Sequence, residues 1–213
     1  LDNPVRDAAR LAKVLVDKYT FDARDVIFLK NPTRSQLIDE LDKITRRISK
    51  NDNLLIFFAG HGFFDTETEF GYWLPSDASA SSTGNWLANS QLKDYVAAIK
   101  SQHTLLIADA CFGGSIFKTR KAFADATDQL NKVYDRKSRK AMTSGALTEV
   151  PDESAFIRFL VQRLEENTLG YLSAEELFSS FKTAVMNSSP IVPQYGDIKG
   201  TGDEGGDFIF VRR

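Results

Sequence analysis

The stretch "HTLLIADACFGGS", residues 103–115, decides the fold. Leu105 to Ala108 run without polar alternation into Asp109, Ala110 and Cys111, and Gly113-Gly114 follow. An unbroken apolar run of strand length that stops at glycines is the pattern of a strand buried on both faces. Cys111 is the sole cysteine of the chain. A free thiol at a strand end is ordinarily a packing residue. Here the glycines free the backbone to turn and to be approached closely, which packing does not require.

Working outward, "NLLIFFAGHG" (53–62) repeats the design: a continuous apolar run that ends on glycines, with His61 between them. Around these two strands the period changes to that of helices. In "DNPVRDAARLAKVLVDKYTF" (2–21), Ala8, Leu11, Val14 and Leu15 share one face, entered through Asn3-Pro4. "NPTRSQLIDELDKITRRISKND" (31–52) offers Thr33 as a cap, then Leu37, Leu41, Ile44 and Ile48 at helical spacing. "NSQLKDYVAAIKSQ", "DESAFIRFLVQRLEEN" and "SAEELFSSFKTAVMNS" read as three further helices. "DVIFL" (25–29) has the length of a short strand, "FFDTETEFGYWLPSDA" (63–78) that of a hairpin, "RKAMTSGA" that of a strand ending in a turn, and "GGDFIFVRR" that of a last strand. Helices alternating with doubly buried strands predict an α/β fold, a three-layer sandwich with a mainly parallel central sheet, built as one domain over residues 1–213. In such sheets, sites lie beyond the carboxyl ends of the strands. If the two apolar strands are parallel neighbours, His61 and Cys111 emerge at one edge.

Composition narrows the function classes. The 213 residues carry 27 Lys+Arg against 29 Asp+Glu, a net charge of −2 that gives no case for a nucleic-acid partner. No apolar run approaches the ~20 residues of a membrane span. One cysteine forms no internal disulfide, so a cytoplasmic setting fits better than a secreted one. Two histidines and one cysteine make a dedicated zinc site a poor expectation, and no cofactor is expected. The G-x-x-x-x-G-K-[ST] P-loop and the G-x-S-x-G elbow are missing from the sequence.

A thiol attacks as thiolate, and a neighbouring imidazole takes its proton. The carbonyl under attack then needs donors for its developing charge. Cys111 and His61 are therefore the candidate catalytic pair, and the backbone N–H groups of Gly62 and Cys111 the candidate oxyanion hole. His103 begins its strand at the end opposite Cys111, which makes it a structural or exposed residue rather than a catalytic one.

"LLIFFAGHG" followed by "TLLIADACFGGS" resembles the caspase-like cysteine peptidases, and the metacaspase and bacterial caspase-like branch more than the animal caspases. "NPVRDA", "GYWLPSDA", "AMTSG" and "GGDFIF" stand in the family's usual order, and His61 and Cys111 are separated by 50 residues, the spacing typical of caspases. The resemblance implies hydrolysis of peptide bonds by a Cys111–His61 dyad through an acyl-enzyme. It also implies an acidic pocket. Asp109 occupies the position where animal caspases usually carry Gln, and Asp7 matches the Asp of the family's N-x-x-x-D-A pattern. A partly buried carboxylate pair prefers a guanidinium to another carboxylate, so cleavage is expected after Arg, and less well after Lys. Asp7 also has an ordinary reading as a solvated or capping carboxylate of its helix. Two departures stand out. Ala59 takes the place of a frequent Ser, and the family's first apolar strand, normally just before the N-x-x-x-D-A segment, is not in this chain, so that strand is either missing or carried by a piece outside it, where any additional domains would also lie.

Residues 117–140 hold eight Lys+Arg against three Asp. Such a run is ordinarily a solvated face; in the family it is often a self-cleavage segment, with Arg120, Arg136 and Arg139 as candidates. "DTETE" (65–69) and "DEGGD" (203–207) are the places where Ca²⁺, an activator of some metacaspases, is expected if it binds, although neither has the spacing of a calcium loop. Partners are then protein or peptide substrates with a basic residue before the cut. A caspase-like scaffold that binds partners without catalysis, and a flavodoxin-like binding domain with an incidental thiol, are the competing readings.

Overall fold

The computed structural model describes residues 2–110, 116, 117, 133–145 and 154–213. Its central sheet is ordered β1 (Asn53–Ala59), β5 (His103–Asp109), β6 (Ser138–Thr143), β8 (Gln194–Asp197). The first three strands are parallel, and β8 closes one edge antiparallel. Helices α1 (Asp2–Lys18), α4 (Ala155–Glu166) and α5 (Ala174–Ser188) cover one face; α2 (Arg34–Arg47) and α3 (Asn89–Ala98) cover the other. This is the expected three-layer α/β arrangement.

The period of two along β5 explains the layering. Leu105 and Ile107 join the cluster of Leu11, Val14 and Leu15 from α1 and Phe156 and Leu160 from α4. Leu106 and Ala108 join Leu41 from α2 and Leu92 and Val96 from α3. Every residue of β5 is buried, so it forms the sheet's axis. Truncating such a residue to Ala costs about 2–5 kcal/mol. The start of α2 is the one expected of the sequence, with Thr33 as its cap. Thr33 and Ser173 each form a capping box, with Gln36 and Glu176.

Three elements differ from expectation. Residues 25–29 form no strand: Val26, Ile27, Phe28 and Leu29 are 36–45% exposed, and β1 has β5 as its only paired neighbour among the described residues. An apolar run without a ladder partner cannot satisfy its backbone as a strand. The C-terminal β9 (Ile209–Val211) pairs with β7 (Tyr171–Ser173) in a separate two-stranded ladder rather than in the central sheet. Residues 194–197, which carry no alternation, supply the antiparallel edge instead.

Beyond β1 the chain leaves the sheet as β2 (Gly62–Asp65), β3 (Phe70–Trp73) and β4 (Leu87–Ala88), an antiparallel three-stranded excursion. Beyond β6, Gly145 has φ +71°, and a Cβ there would sit 1.8 Å from the Val192 carbonyl oxygen. Only glycine turns the chain at this place.

Candidate active site

The parallel ladder of β1 and β5 aligns Ala59 with Asp109, and Gly60 N–H donates to the Asp109 carbonyl at 3.2 Å. The two strands thus end level at their carboxyl ends. His61 follows two residues after Ala59, exposed to solvent, and Cys111 two residues after Asp109 in the sequence. Cys111 itself lies outside the described residues, as does Arg120.

The His61 carbonyl accepts from Leu74 N–H at 3.0 Å, so these residues form a bonded pair of the antiparallel ladder. Bonded and non-bonded pairs alternate, which makes Gly62 and Trp73 a non-bonded pair and turns the Gly62 N–H away from β3. A backbone donor pointing out of a ladder beside a histidine is available to an oxyanion.

Asp109 is 5% exposed, and its Oδ1 has no hydrogen-bond partner among the described residues. Burial pushes its carboxyl above the usual carboxylate range; the Ser154 and Ser144 hydroxyls beside it pull the other way, and the charge of Asp7 adds to the rise. Asp7 on α1 thus lies near enough for its charge to act on Asp109 of β5. Thr143 Oγ1, at the end of the neighbouring strand, is likewise buried without a hydrogen-bond partner among the described residues, and Ser144 Oγ is buried beside Asp109. Buried polar oxygens left open cost free energy unless something binds them, and a cation with several donors fits this set. Sequence reasoning missed Thr143, Ser144 and Ser154. The signal was "TSG" at the end of a strand adjacent to β5, together with a Ser that also caps α4 by accepting from Ile157 N–H.

His103 stands at the far end of β5. It is fully buried, with Nδ1 2.9 Å from Ser138 Oγ and Tyr134 packed on its ring, and burial lowers its pKa. It is a structural residue. Arg139 corrects one expectation. It is fully buried in β6, and its guanidinium donates to the carbonyls of Ile99, Ser101, Gln102 and Ser138. A bond in the middle of the sheet cannot enter a peptidase cleft, so Arg139 is an internal staple rather than a cleavage point. Arg136 is exposed just before the strand.

The acidic loops are engaged by the chain itself. Asp203 accepts from the N–H groups of Arg139 and Gly205, Asp207 from those of Glu175 and Phe208, and Asp65 from Glu67 N–H within its own turn. Among the described residues no three His, Cys, Asp or Glu side chains are grouped to hold a metal ion, and no helix is long and apolar enough to cross a membrane.

The sequence model of the caspase domain, a peptidase family, matches residues 1–200. Metacaspase-8 of Arabidopsis thaliana is 24% identical over 131 residues, which are 55% of this chain and 34% of that protein, so the match spans about a third of the relative's length. The crystal structure of protein GSU0716 from Geobacter sulfurreducens is similar in fold, with a TM-score of 0.58 at 15% identity over 96% of this chain and 89% of that one. With the family model matching residues 1–200 of the chain and the three-layer fold in place, this chain belongs to the caspase domain family.

Proposed function

We propose that the chain is a cysteine endopeptidase that cleaves after Arg, and less well after Lys. The observation that carries this reading is the buried Asp109 carboxylate with an open oxygen and Asp7 nearby, at the edge where β1 and β5 end level. A guanidinium donates through a planar fork and keeps its charge when desolvated, which suits a carboxylate pair better than an ammonium does.

In this mechanism His61 takes the Cys111 proton, and the thiolate sulfur bonds to the carbonyl carbon of the scissile peptide. The oxyanion is held by the Gly62 and Cys111 N–H groups. His61 then gives its proton to the departing amine as the C–N bond breaks, leaving an acyl-enzyme. Water, deprotonated by His61, releases the acid and restores the thiol. The chemistry needs the thiol, the imidazole and backbone donors, so Ca²⁺ enters as a variable of the assay. Self-processing falls at Arg120 or Arg136 in this reading.

The test is a fluorogenic peptide panel with Arg, Lys, Asp or Ala before the scissile bond, on wild type and Cys111→Ala, with and without Ca²⁺. Arg-directed hydrolysis lost in Cys111→Ala supports the reading. Cleavage after Asp keeps the peptidase and overturns the roles of Asp7 and Asp109. Silence toward every peptide favours a caspase-like scaffold.

A further inference from the structure

The antiparallel excursion that follows His61 has two chemically different faces. On the inner face Trp73 and Leu87 are 3% and 0% exposed, and Trp73 stacks on Phe58 with ring centroids 4.0 Å apart. The ladder pairs Phe63 with Tyr72 and Tyr72 with Ala88, so all three share the outer face, as does Trp86 two residues before Ala88. There the Phe63 and Tyr72 rings both meet the Trp86 ring, at 5.2 and 5.4 Å. Phe63 is 43% exposed. Trp86 is held in place by its indole N–H, which donates to the Ser79 carbonyl at 3.0 Å, and by Arg34 Nε on its own carbonyl at 3.1 Å. The bonded pair of His61 and Leu74 carries the ladder one step past Gly62, and alternation puts His61 on this same aromatic face.

We infer that Phe63, Tyr72 and Trp86 form the subsite for the substrate residues on the leaving-group side of the scissile bond, and that it takes an aromatic or large aliphatic side chain. The inference rests on the peptidase reading above. His61 hands its proton to the departing amine, so the departing segment must lie against His61. The strand that leads away from His61 carries Phe63, roughly 7 Å on at two residues of strand rise. That is the reach of the first or second residue after the cut in an extended peptide. The inner face already carries the packing, so an exposed Phe63 ring set against the half-buried Tyr72 and Trp86 rings beside a catalytic histidine is a surface for a ligand. Their flat, rigid rings favour stacking by another ring over a glycine or an acid.

The experiment uses two peptides that differ only in Phe or Gly immediately after the Arg. Binding is measured by calorimetry on Cys111→Ala, and hydrolysis on the wild type, each repeated with Phe63→Ser and Phe63→Tyr added. The expected result is a Phe:Gly preference of about tenfold or more in both binding and kcat/KM, the worth of stacking and burying one ring. Phe63→Ser brings the ratio to within about twofold of unity, and Phe63→Tyr restores it. Because the readout is a ratio on one preparation, partial unfolding of a variant cancels. A wild-type ratio near one, or a ratio that Phe63→Ser leaves intact, overturns the subsite while Arg-directed hydrolysis still stands. Binding preference without hydrolysis of either peptide overturns the peptidase reading and the leaving-group assignment with it.

Discussion

Ala59 faces Asp109 across the β1–β5 ladder, and the Gly60 N–H is bonded to the Asp109 carbonyl. This register makes two segments 50 residues apart in sequence begin from the same line. A slip of the parallel pairing would displace the histidine from the cysteine by a full strand rise and turn one of them to the other face. The apolar runs of both strands, buried against helices, hold that register in place.

A paired thiol and imidazole act as a unit. Cys111→Ala and His61→Ala each lower kcat/KM toward an Arg peptide about 10³-fold or more, and the double variant is no worse than the weaker single one. Carbamidomethylation by iodoacetamide at neutral pH also slows in His61→Ala. Independent, multiplying losses in the double variant would refute the dyad.

Asp109 separates function from stability. Its raised pKa means that the folded state holds the proton more tightly than the unfolded one. Stability from this group therefore falls as pH rises from the ordinary carboxylate range through the folded value, and the cost of the buried charge is complete above it. Asp109→Asn removes that cost together with the counter-charge for a guanidinium. The expected outcome is a loss of about 100-fold in kcat/KM for Arg substrates, ~3 kcal/mol, with a urea midpoint at pH 7–8 no lower than wild type. A sharp drop in the midpoint with unchanged selectivity would make Asp109 a structural anchor.

Arg139 and Arg136 are three residues apart and have opposite fates. N-terminal sequencing of self-processed fragments yields cuts after Arg120 or Arg136 and none after Arg139. Arg139→Gln leaves carbonyls of the 99–102 turn and of Ser138 without their donor, and lowers stability by about 2–4 kcal/mol, read as a fall in the urea midpoint. Arg136→Gln leaves the midpoint within about 0.5 kcal/mol of wild type.

The parts of the fold that were legible in the sequence are those with one dominant signal. The unbroken runs of β1 and β5, the cap at Thr33, and the helical faces of Leu11, Val14 and Leu15 each follow from local physics. Residues 25–29 have the composition of a strand but no ladder partner among the described residues, and composition does not report partners. Arg139 looked like a solvated charge because burial of a guanidinium depends on carbonyls that the fold gathers from 37 to 40 residues away, alongside that of its neighbour Ser138. Within the site, Asp109 was legible because a carboxylate ending an apolar strand demands an explanation. Ser144 and Ser154 were not, because small hydroxyls carry no pattern until neighbouring strands and a helix N-terminus converge.

Asp207 ties together three elements. It accepts from the N–H groups of Glu175, at the start of α5, and Phe208, just before β9, and from the Tyr195 hydroxyl on β8. Burial dominates over these bonds and over the positive charge of Lys140, and its carboxyl is pushed up to about 6. The folded state therefore keeps a proton on Asp207 between about pH 4 and pH 6 that the unfolded chain has lost. Over that window the group's contribution to stability declines by ~3 kcal/mol, about two pH units at 1.36 kcal/mol each. Asp207→Asn keeps an acceptor for the Tyr195 hydroxyl and the two N–H groups but cannot ionise. Subtracting the variant's urea-midpoint profile from that of the wild type should give a wild-type stability that declines between pH 4 and pH 7 and is flat above. A difference curve that is flat throughout, or that rises with pH, would mean that Asp207 is already ionised at the acid end, with its bonds outweighing its burial.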